Sequence, residues 1–494
     1  MKARELANLG IPTGGPLRLA VRSCARAAQA GLSRDALRAA IKGVIENPAG
    51  YLSDPIFDRL AAELARAPGP AVFTGRETAA PWANWGEGLE AESIAQMERA
   101  CRLPITAAGA PMPDAHVGYG LPIGGVLACE NAIIPYAVGV DIACRMRLSV
   151  LDMPIQTLDT EHGLGRLTRA IQTQTRFGIG AAFQKPRDHH VLDADWSVSP
   201  ITRAGKDKAR NQLGTSGSGN HFVEFGVLTI TPEQAAARAG VAPAPDSPDL
   251  HGSGWSFDPP PGTYLALLSH SGSRGTGATV CDHYSRIAIE RHPELPKDLK
   301  HLAWLDMDSH EGAEYFAAMN LMGEYASANH ECIHRHIAGQ LGARAIAFVE
   351  NHHNFAWKES HDLGDGRGPR EFIVHRKGAT PAGANVLGVI PGSMAAPGFV
   401  VRGRGNAPSL RSASHGAGRV MSRTKARATF AWGNVKRDLS SLNVRVLSAG
   451  IDEAPGVYKD IHKVMALQAD LVDVVGRFDP RLVKMAPEGE RAED

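Results

Sequence analysis

The placement of glycine constrains this chain more than any other feature. From Pro104 onward, glycine-rich turns alternate with short β-like runs, and many of the 53 glycines cluster around histidines. Glycine accepts positive φ and lets the backbone approach a ligand closely, so such clusters imply tight turns and exposed amide N–H groups, not a fibre repeat. The β-like runs are Gly124 to Ala128, Arg147 to Leu151, Phe222 to Ile230, Tyr264 to Leu268, Ala343 to Val349, Glu371 to Val374, Asn385 to Ile390 and Val444 to Leu447. Most are followed at once by polar or glycine residues. Helices interleave with them. The clearest spans Gly312 to Ile337, where Met319, Met322, Ala326, Cys332, Ile333 and Ile337 approximate one apolar stripe.

Residues 1–90 have another character. They are rich in Ala, Leu and Arg, and Leu37, Ala40 and Ile41 fall at helical spacing behind Ser33 as an N-cap. Pro48, Pro55 and Pro68 then break the pattern. The expected organisation is a helical segment over 1–90, a body over 91–485 and a disordered tail over 486–494, with Val241 to Trp255 as a surface loop of the body. The formal net charge is +1, which neither favours nor excludes a nucleic-acid partner. Arg402, Arg404, Arg411, Arg419, Arg423, Lys425 and Arg427 make one stretch locally basic, either as a solvated face or as a phosphate-binding surface. The six cysteines form no CxxC pair, which argues against a disulfide scaffold. No apolar run reaches membrane-spanning length and the N-terminus has no apolar leader, so a cytoplasmic protein without membrane contacts is expected.

Five places set a metal-capable residue at the end of a β-like run or in a glycine-rich turn. Gly-Val-Asp-Ile-Ala-Cys supplies Asp141 and Cys144, and Gly-Ser-Gly-Asn-His-Phe supplies Asn220 and His221. Ser-His-Ser-Gly-Ser-Arg-Gly supplies His270, Glu-Asn-His-His-Asn-Phe supplies His352 and His353, and Ser-His-Gly-Ala-Gly-Arg supplies His415. A thiolate with imidazoles suits a borderline divalent ion such as Mn²⁺, Zn²⁺ or Co²⁺, and a carboxylate adds a harder ligand. The ligands lie too far apart in sequence for spacing to distinguish one ion from two. His415 stands apart, in a Gly-Ala-Gly turn with Arg419 and Arg423 beyond it. It can be a nucleophile toward phosphorus, a further metal ligand or a turn histidine.

The stretches PDAHVGYG, GVDIAC, LGTSGSGNHFVE, SHSGSRG, NHHNFAWKE, HRKGATPA, IPGSM, SHGAGR and DEAPGVYKDI run in this order from Pro113 to Ile461. In them the sequence resembles the RtcB-type RNA ligases, which join RNA 3′-phosphate ends to 5′-hydroxyl ends in tRNA splicing and RNA repair. The resemblance implies an α+β fold: one large body with mixed β-sheets, surrounding helices and a deep metal-containing cleft. It implies two Mn²⁺ ions and GTP as cofactors. The metal ligands would be Asp141, Cys144, His221, His270 and His353, with the Cys144 thiolate bridging the ions. His353 is preferred to His352 because it directly precedes the asparagine of the HN pair. GTP would contact Asn220, Glu224, Ser393, Ala417, Gly418, Tyr458 and Lys484, and His415 would be guanylylated. Arg145, Arg274 and Arg419 are candidate phosphate or RNA contacts. The substrates implied are RNA with 3′-phosphate or 2′,3′-cyclic phosphate ends and RNA with 5′-hydroxyl ends.

Three departures mark the chain as a divergent member. Arg145 follows the bridging cysteine where the family usually has glycine. Gly118, Tyr119 and Gly120 stand where the family usually reads Gly-Lys-Gly, so a lysine able to meet RNA phosphate is absent. Ala395, Ala396, Pro397 and Gly398 replace a stretch that usually supplies a second serine near the nucleotide. These leave room for guanylyl capping of 3′-phosphate ends, of RNA or DNA, without efficient sealing, or for another acceptor. Two further alternatives are a metal-dependent phosphoesterase that uses the same ions without covalent GMP, and RNA binding without catalysis.

Overall fold

The computed structural model describes residues 1, 3–12, 15–66, 73–238 and 255–490. The loop expected from Val241 lies outside these residues up to 254, and Trp255 opens a short strand. The chain divides into two compact units, Met1–Phe73 and Thr74–Asp494.

The smaller unit is helical: Ala3–Asn8, Gly15–Gln29, Arg34–Glu46 and Asp58–Arg66. Ser33 caps the third helix, its hydroxyl accepting from Ala36 N at 3.3 Å. Leu37, Ile41 and Val44 form one stripe and bury against a core containing Leu6, Cys24, Phe57 and Leu60. This unit closes at Phe73. The segment that follows packs with the larger unit, where Ala80 N donates to Cys101 O and Gly109 N to Pro81 O.

The larger unit is a mixed α/β body built on two main sheets. A nine-stranded sheet runs in the order Leu387–Ile390, Gly398–Gly403, Val472–Met485, Phe222–Ile230, Gly262–Ser271, Arg145–Leu151, Ala345–His352 and Trp255–Ser256, with Arg445–Ser448 added parallel to Val472–Met485. A four-stranded antiparallel sheet runs Thr106–His116, Ile123–Cys129, Arg370–Lys377, Asn354–His361. The period-two alternation of a strand decides which face each residue covers. Leu265 and Leu267 pack with Ile333, Ile337 and Leu341 of the long helix His310–Leu341, whereas Ala266 and Leu268 pack with Met146, Leu148 and Val349 on the other face. That helix starts on Ser309, which accepts from Gly312 N, and stops on Gly342 at φ +68, a left-handed cap that glycine adopts without strain.

Each β-like run of the sequence overlaps a strand: Phe222–Ile230 coincides with one, four runs lie inside longer strands, and the runs from Ala343, Asn385 and Val444 begin one or two residues before theirs. The tail expected beyond Met485 is held over part of its length. Glu488 accepts from Trp432 Nε1 at 2.6 Å and from Ile451 N at 3.2 Å; residues 491–494 lie outside the described ones. No helix among the described residues is long and apolar enough to cross a membrane.

Candidate metal centre and active site

Sheet topology explains how residues 141 to 353 meet. Four neighbouring strands of the large sheet are antiparallel, so the start of one lies beside the end of the next. His221 precedes the strand Phe222–Ile230, His270 lies near the end of Gly262–Ser271, Cys144 precedes Arg145–Leu151, and His353 follows Ala345–His352. Start, end, start and end therefore fall on a single edge. In register, Met146 and Phe222 flank His270 on either side. Asp141 joins from the turn before Cys144, which is shaped by Ala143 at φ +56 and by Cys144 N donating to Asp141 O at 3.1 Å. A side chain at Gly272 would put its Cβ 2.1 Å from Asp141 Oδ2, so this carboxylate needs a glycine there.

The ligand atoms converge. Cys144 Sγ is 3.1 Å from His270 Nε2 and 3.4 Å from His221 Nε2; His270 Nε2 is 3.2 Å from His353 Nε2; His221 Nε2 is 3.0 Å from Asp141 Oδ2. Two triads result, Asp141–Cys144–His221 and Cys144–His270–His353, sharing one thiol. Backbone carbonyls set the tautomers. His221 Nδ1 lies 2.8 Å from Ser216 O and His270 Nδ1 lies 3.2 Å from Asn220 O. A carbonyl only accepts, so both Nδ1 atoms carry the proton. Burial, with His221 nearby, drops His270 to a pKa of about 3, and burial with His415 and His270 holds His353 well below the ordinary range. These rings are neutral and His270 Nε2 presents a lone pair. Burial alone would raise Asp141, but His221 and Arg274 outweigh it and keep the carboxylate ionised. Its Oδ2 is buried without a hydrogen-bond donor. Lone pairs and an orphaned carboxylate oxygen packed within about 3 Å of each other suit divalent cations.

His415 stands beside this cluster. Its ring centroid is 4.9 Å from that of His353. Nδ1 donates to Asp114 Oδ2 at 2.7 Å, and the same oxygen accepts from the backbone N–H of His415 at 3.2 Å and of Gly416 at 3.3 Å. Asp114 is fully buried; burial would raise its pKa, but His415 and Lys459 hold it below the usual carboxylate range. An ionised Asp114 thus fixes Nδ1 as the protonated nitrogen and leaves Nε2 as the nucleophilic one. Gly418, at φ +71, comes so close to Asp114 that a Cβ there would lie 2.2 Å from the Asp114 carbonyl oxygen.

Asp141, Cys144, His221, His270, His353 and His415 line one cleft of about 700 Å³, together with Asn220, Glu224, Ser393, Ala417, Gly418, Arg419 and Tyr458, while Asp114 lies buried behind His415. Burial raises Glu224 to a pKa of about 8, so its carboxyl is protonated at neutral pH and can donate. Arg419 and Arg423 enter the wall already engaged: Arg419 reaches Glu453 at 3.4 Å and Arg423 reaches Asp452 at 3.0 Å, while the Tyr458 hydroxyl donates to Glu453.

Three expected contacts lie elsewhere. Arg145 is fully buried behind the cluster, paired with Glu350 and donating to Gly323 O at 2.7 Å, so it is a core ion pair and not a phosphate contact. Its strand position, opposite Ser271 and His352, turns the side chain away from the edge where Cys144 sits. Arg274 is buried on Thr215, Nε to Oγ1 3.1 Å, and acts on Asp141 through its charge, not on the cleft surface. Lys484 lies over the Phe177 ring at 5.3 Å and is absent from the cleft wall, which Val483 and Met485 form instead. His352, the alternative to His353, stacks on Trp357 with ring centroids 5.0 Å apart. Sequence reasoning missed Asp114, which lies inside PDAHVGYG; an acid within a motif free of local charge partners was the available signal.

Comparison with known proteins agrees with this geometry. The family described as "tRNA-splicing ligase RtcB" matches residues 96–198 and 194–485. The RNA-splicing ligase RtcB of Escherichia coli is 33% identical over 432 residues, covering 80% of this chain and 95% of that protein. The Mycobacterium tuberculosis RNA-splicing ligase RtcB is 31% identical over 447 residues, covering 78% and 98%. The tRNA-splicing ligase RtcB of Archaeoglobus fulgidus is 29% identical over 459 residues, covering 79% and 88%. The ordered motifs, the cleft and these matches together place the chain in the RtcB family.

Proposed function

We propose that the chain is an RNA ligase that uses GTP and two Mn²⁺ ions to join 3′-phosphate or 2′,3′-cyclic phosphate ends to 5′-hydroxyl ends through guanylylated His415. The observation that carries this reading is the His415 imidazole, locked by Asp114 with Nε2 available, one ring away from a double triad of metal-capable groups. The names of the relatives, RNA-splicing and tRNA-splicing ligases, support the substrate class.

The residues have distinct tasks. Asp141, Cys144 and His221 would hold one ion and Cys144, His270 and His353 the other. Bound there, the ions supply Lewis acidity toward phosphoryl oxygens. Asn220, Glu224, Ser393, Ala417, Gly418 and Tyr458 surround the GTP. The His415 Nε2 lone pair forms a bond to the α-phosphorus as the bond to pyrophosphate breaks. An oxygen of the RNA 3′-phosphate then takes the guanylyl group, returning the lone pair to His415. The 5′-hydroxyl oxygen finally attacks that activated 3′-phosphate, losing its proton, and GMP leaves. A cyclic phosphate end is first opened by water. Asp114 stabilises the ring as it becomes cationic. No disulfide joins any of the six cysteines, which fits a reducing compartment such as the cytoplasm.

Incubation with Mn²⁺ and α-labelled GTP tests the reading. A covalent, acid-labile label is expected, lost in His415→Ala, followed by sealing of RNA carrying 3′-phosphate and 5′-hydroxyl ends. No label on the wild-type protein overturns it. Label without sealing would assign the chain to capping.

A further inference from the structure

At one wall of the cleft lies a group of rings that the chemistry above does not use. Tyr119 is 68% exposed, the most exposed large apolar side chain among the described residues, yet it lines the cleft together with Tyr136. Its ring meets Tyr136 edge-on with centroids 6.4 Å apart and His301 with centroids 5.8 Å apart; Tyr136 and His301 are themselves 4.4 Å apart. The three rings form a patch, with one member presented to solvent. Burial, then the charge of Lys377, lowers the His301 pKa and keeps that ring uncharged.

Lys377 ties the patch to the chemical centre. It pairs in register with Asn354, the neighbour of His353. Its ammonium donates to Tyr119 O at 2.6 Å and sits 5.4 Å from the centre of the Tyr136 ring. The patch is therefore one lysine side chain away from a strand that begins directly after metal-capable His353. The turn is rigid: Gln96 holds Gly118 through both its amide oxygen and nitrogen, at 3.0 and 2.6 Å. Gly120 at φ +71 packs so closely on His301 that a Cβ would lie 3.0 Å from its backbone oxygen.

A fixed, solvent-facing tyrosine backed by two further rings and a buried cation is what an unstacked nucleobase requires. The ring offers a π face, and the Lys377 ammonium held against the Tyr119 carbonyl and the Tyr136 ring attracts a phosphate backbone to the same place. We propose that Tyr119, supported by Tyr136 and His301, is a stacking platform for an unpaired base of the RNA strand entering the cleft. This rests on the RNA-ligase reading above and adds that the substrate end is bound single-stranded, with its base read by shape and not by sequence.

The test uses full-length protein and two short single-stranded RNAs, one with a 3′-phosphate and one with a 5′-hydroxyl. Each is prepared intact and with abasic residues at the three end-proximal positions. Tyr119→Ala is expected to weaken binding of at least one intact RNA by roughly 5- to 150-fold. Tyr119→Phe should retain wild-type affinity. The abasic form of the same RNA should bind the wild-type protein as weakly as the intact RNA binds Tyr119→Ala, with no further loss in the variant. Equal affinity of Tyr119→Ala and wild type for both RNAs overturns the proposal, as does an equal loss for intact and abasic RNA. Self-labelling of the wild-type protein by GTP needs no RNA, so its failure would count against the ligase reading and a normal label with unchanged RNA binding against the platform alone.

Discussion

Replacing Asp114 by asparagine isolates the device that orients the proposed nucleophile. The substitution is nearly isosteric, and the carboxylate being changed is fully buried. Three N–H groups now point at one oxygen: His415 Nδ1, His415 N and Gly416 N. An asparagine oxygen placed there still accepts from the two backbone groups, but the ionic part of the bond to the ring is lost. Hydrogen bonds to charged groups contribute about 1.5–3 kcal/mol. Spent on holding the tautomer and the developing positive charge, this predicts a fall of roughly 10- to 150-fold in the rate of guanylyl transfer to His415. A time course of acid-labile labelling with α-labelled GTP measures it, and circular dichroism checks the fold. Wild-type labelling rates in a folded Asp114→Asn protein would refute the assignment of Asp114 as the orienting group. The variant also carries a pH signature. Asp114 is held below its ordinary pKa, so its contribution to stability is fully present above the unfolded value, about 4, and is lost as pH falls through the lower folded value. Acid unfolding of Asp114→Asn should lack that component.

Other expectations follow from the same geometry. Cys144→Ala removes the thiol common to both triads, so bound Mn²⁺ by elemental analysis should fall well below the wild-type ratio and labelling should disappear, with the fold retained; full metal loading would remove the shared-thiol arrangement. His353→Ala should lose metal, whereas His352→Ala, whose ring stacks on Trp357, should lower the melting temperature and keep labelling; the opposite ranking would reverse the assignment. Arg145→Ala leaves Glu350 buried with less compensation and should cost about 3–5 kcal/mol in denaturant unfolding, as expected when one member of a buried pair is deleted, where a phosphate contact would change RNA affinity instead. Leu267→Ala empties space against the long helix and should cost about 2–5 kcal/mol by the same measurement.

What was legible in the sequence divides along physical lines. The metal-capable positions could be found because they end β-like runs or sit in glycine-rich turns, and the family resemblance then selected the ligand set among them; the long helix announced itself through its stripe, though its end at Leu341 and the Gly342 cap lie beyond the expected Ile337. Strand Thr106–His116 was not foreseen. It contains Pro111 and Pro113, which argue against a strand interior, but it lies at the edge of its sheet, and its register breaks between Pro111 and His116, where missing donors do no harm. Val472–Met485 hid Pro480 in the same way, at a register shift between Pro480 and Leu482. Arg145 was misjudged for a different reason. Nearness in sequence to Cys144 says nothing about direction, and consecutive strand residues point to opposite faces. Asp114 and His415 lie 301 residues apart, so no local pattern could pair them.

The collection of ligands along one sheet edge has a bearing on how the protein matures. The five donors lie in or beside the ends of four strands, Asp141 and Cys144 sharing one, and sliding any of these strands by a single residue would swing its donor out of reach. Ion capture can therefore occur only after all four have docked in the correct alignment. The ions would then act as a late latch that rewards correct assembly, since their affinity is folding free energy for the whole sheet and not for one loop. Chelators should thus speed unfolding of segments far from the cleft, including the helix packed on the opposite face.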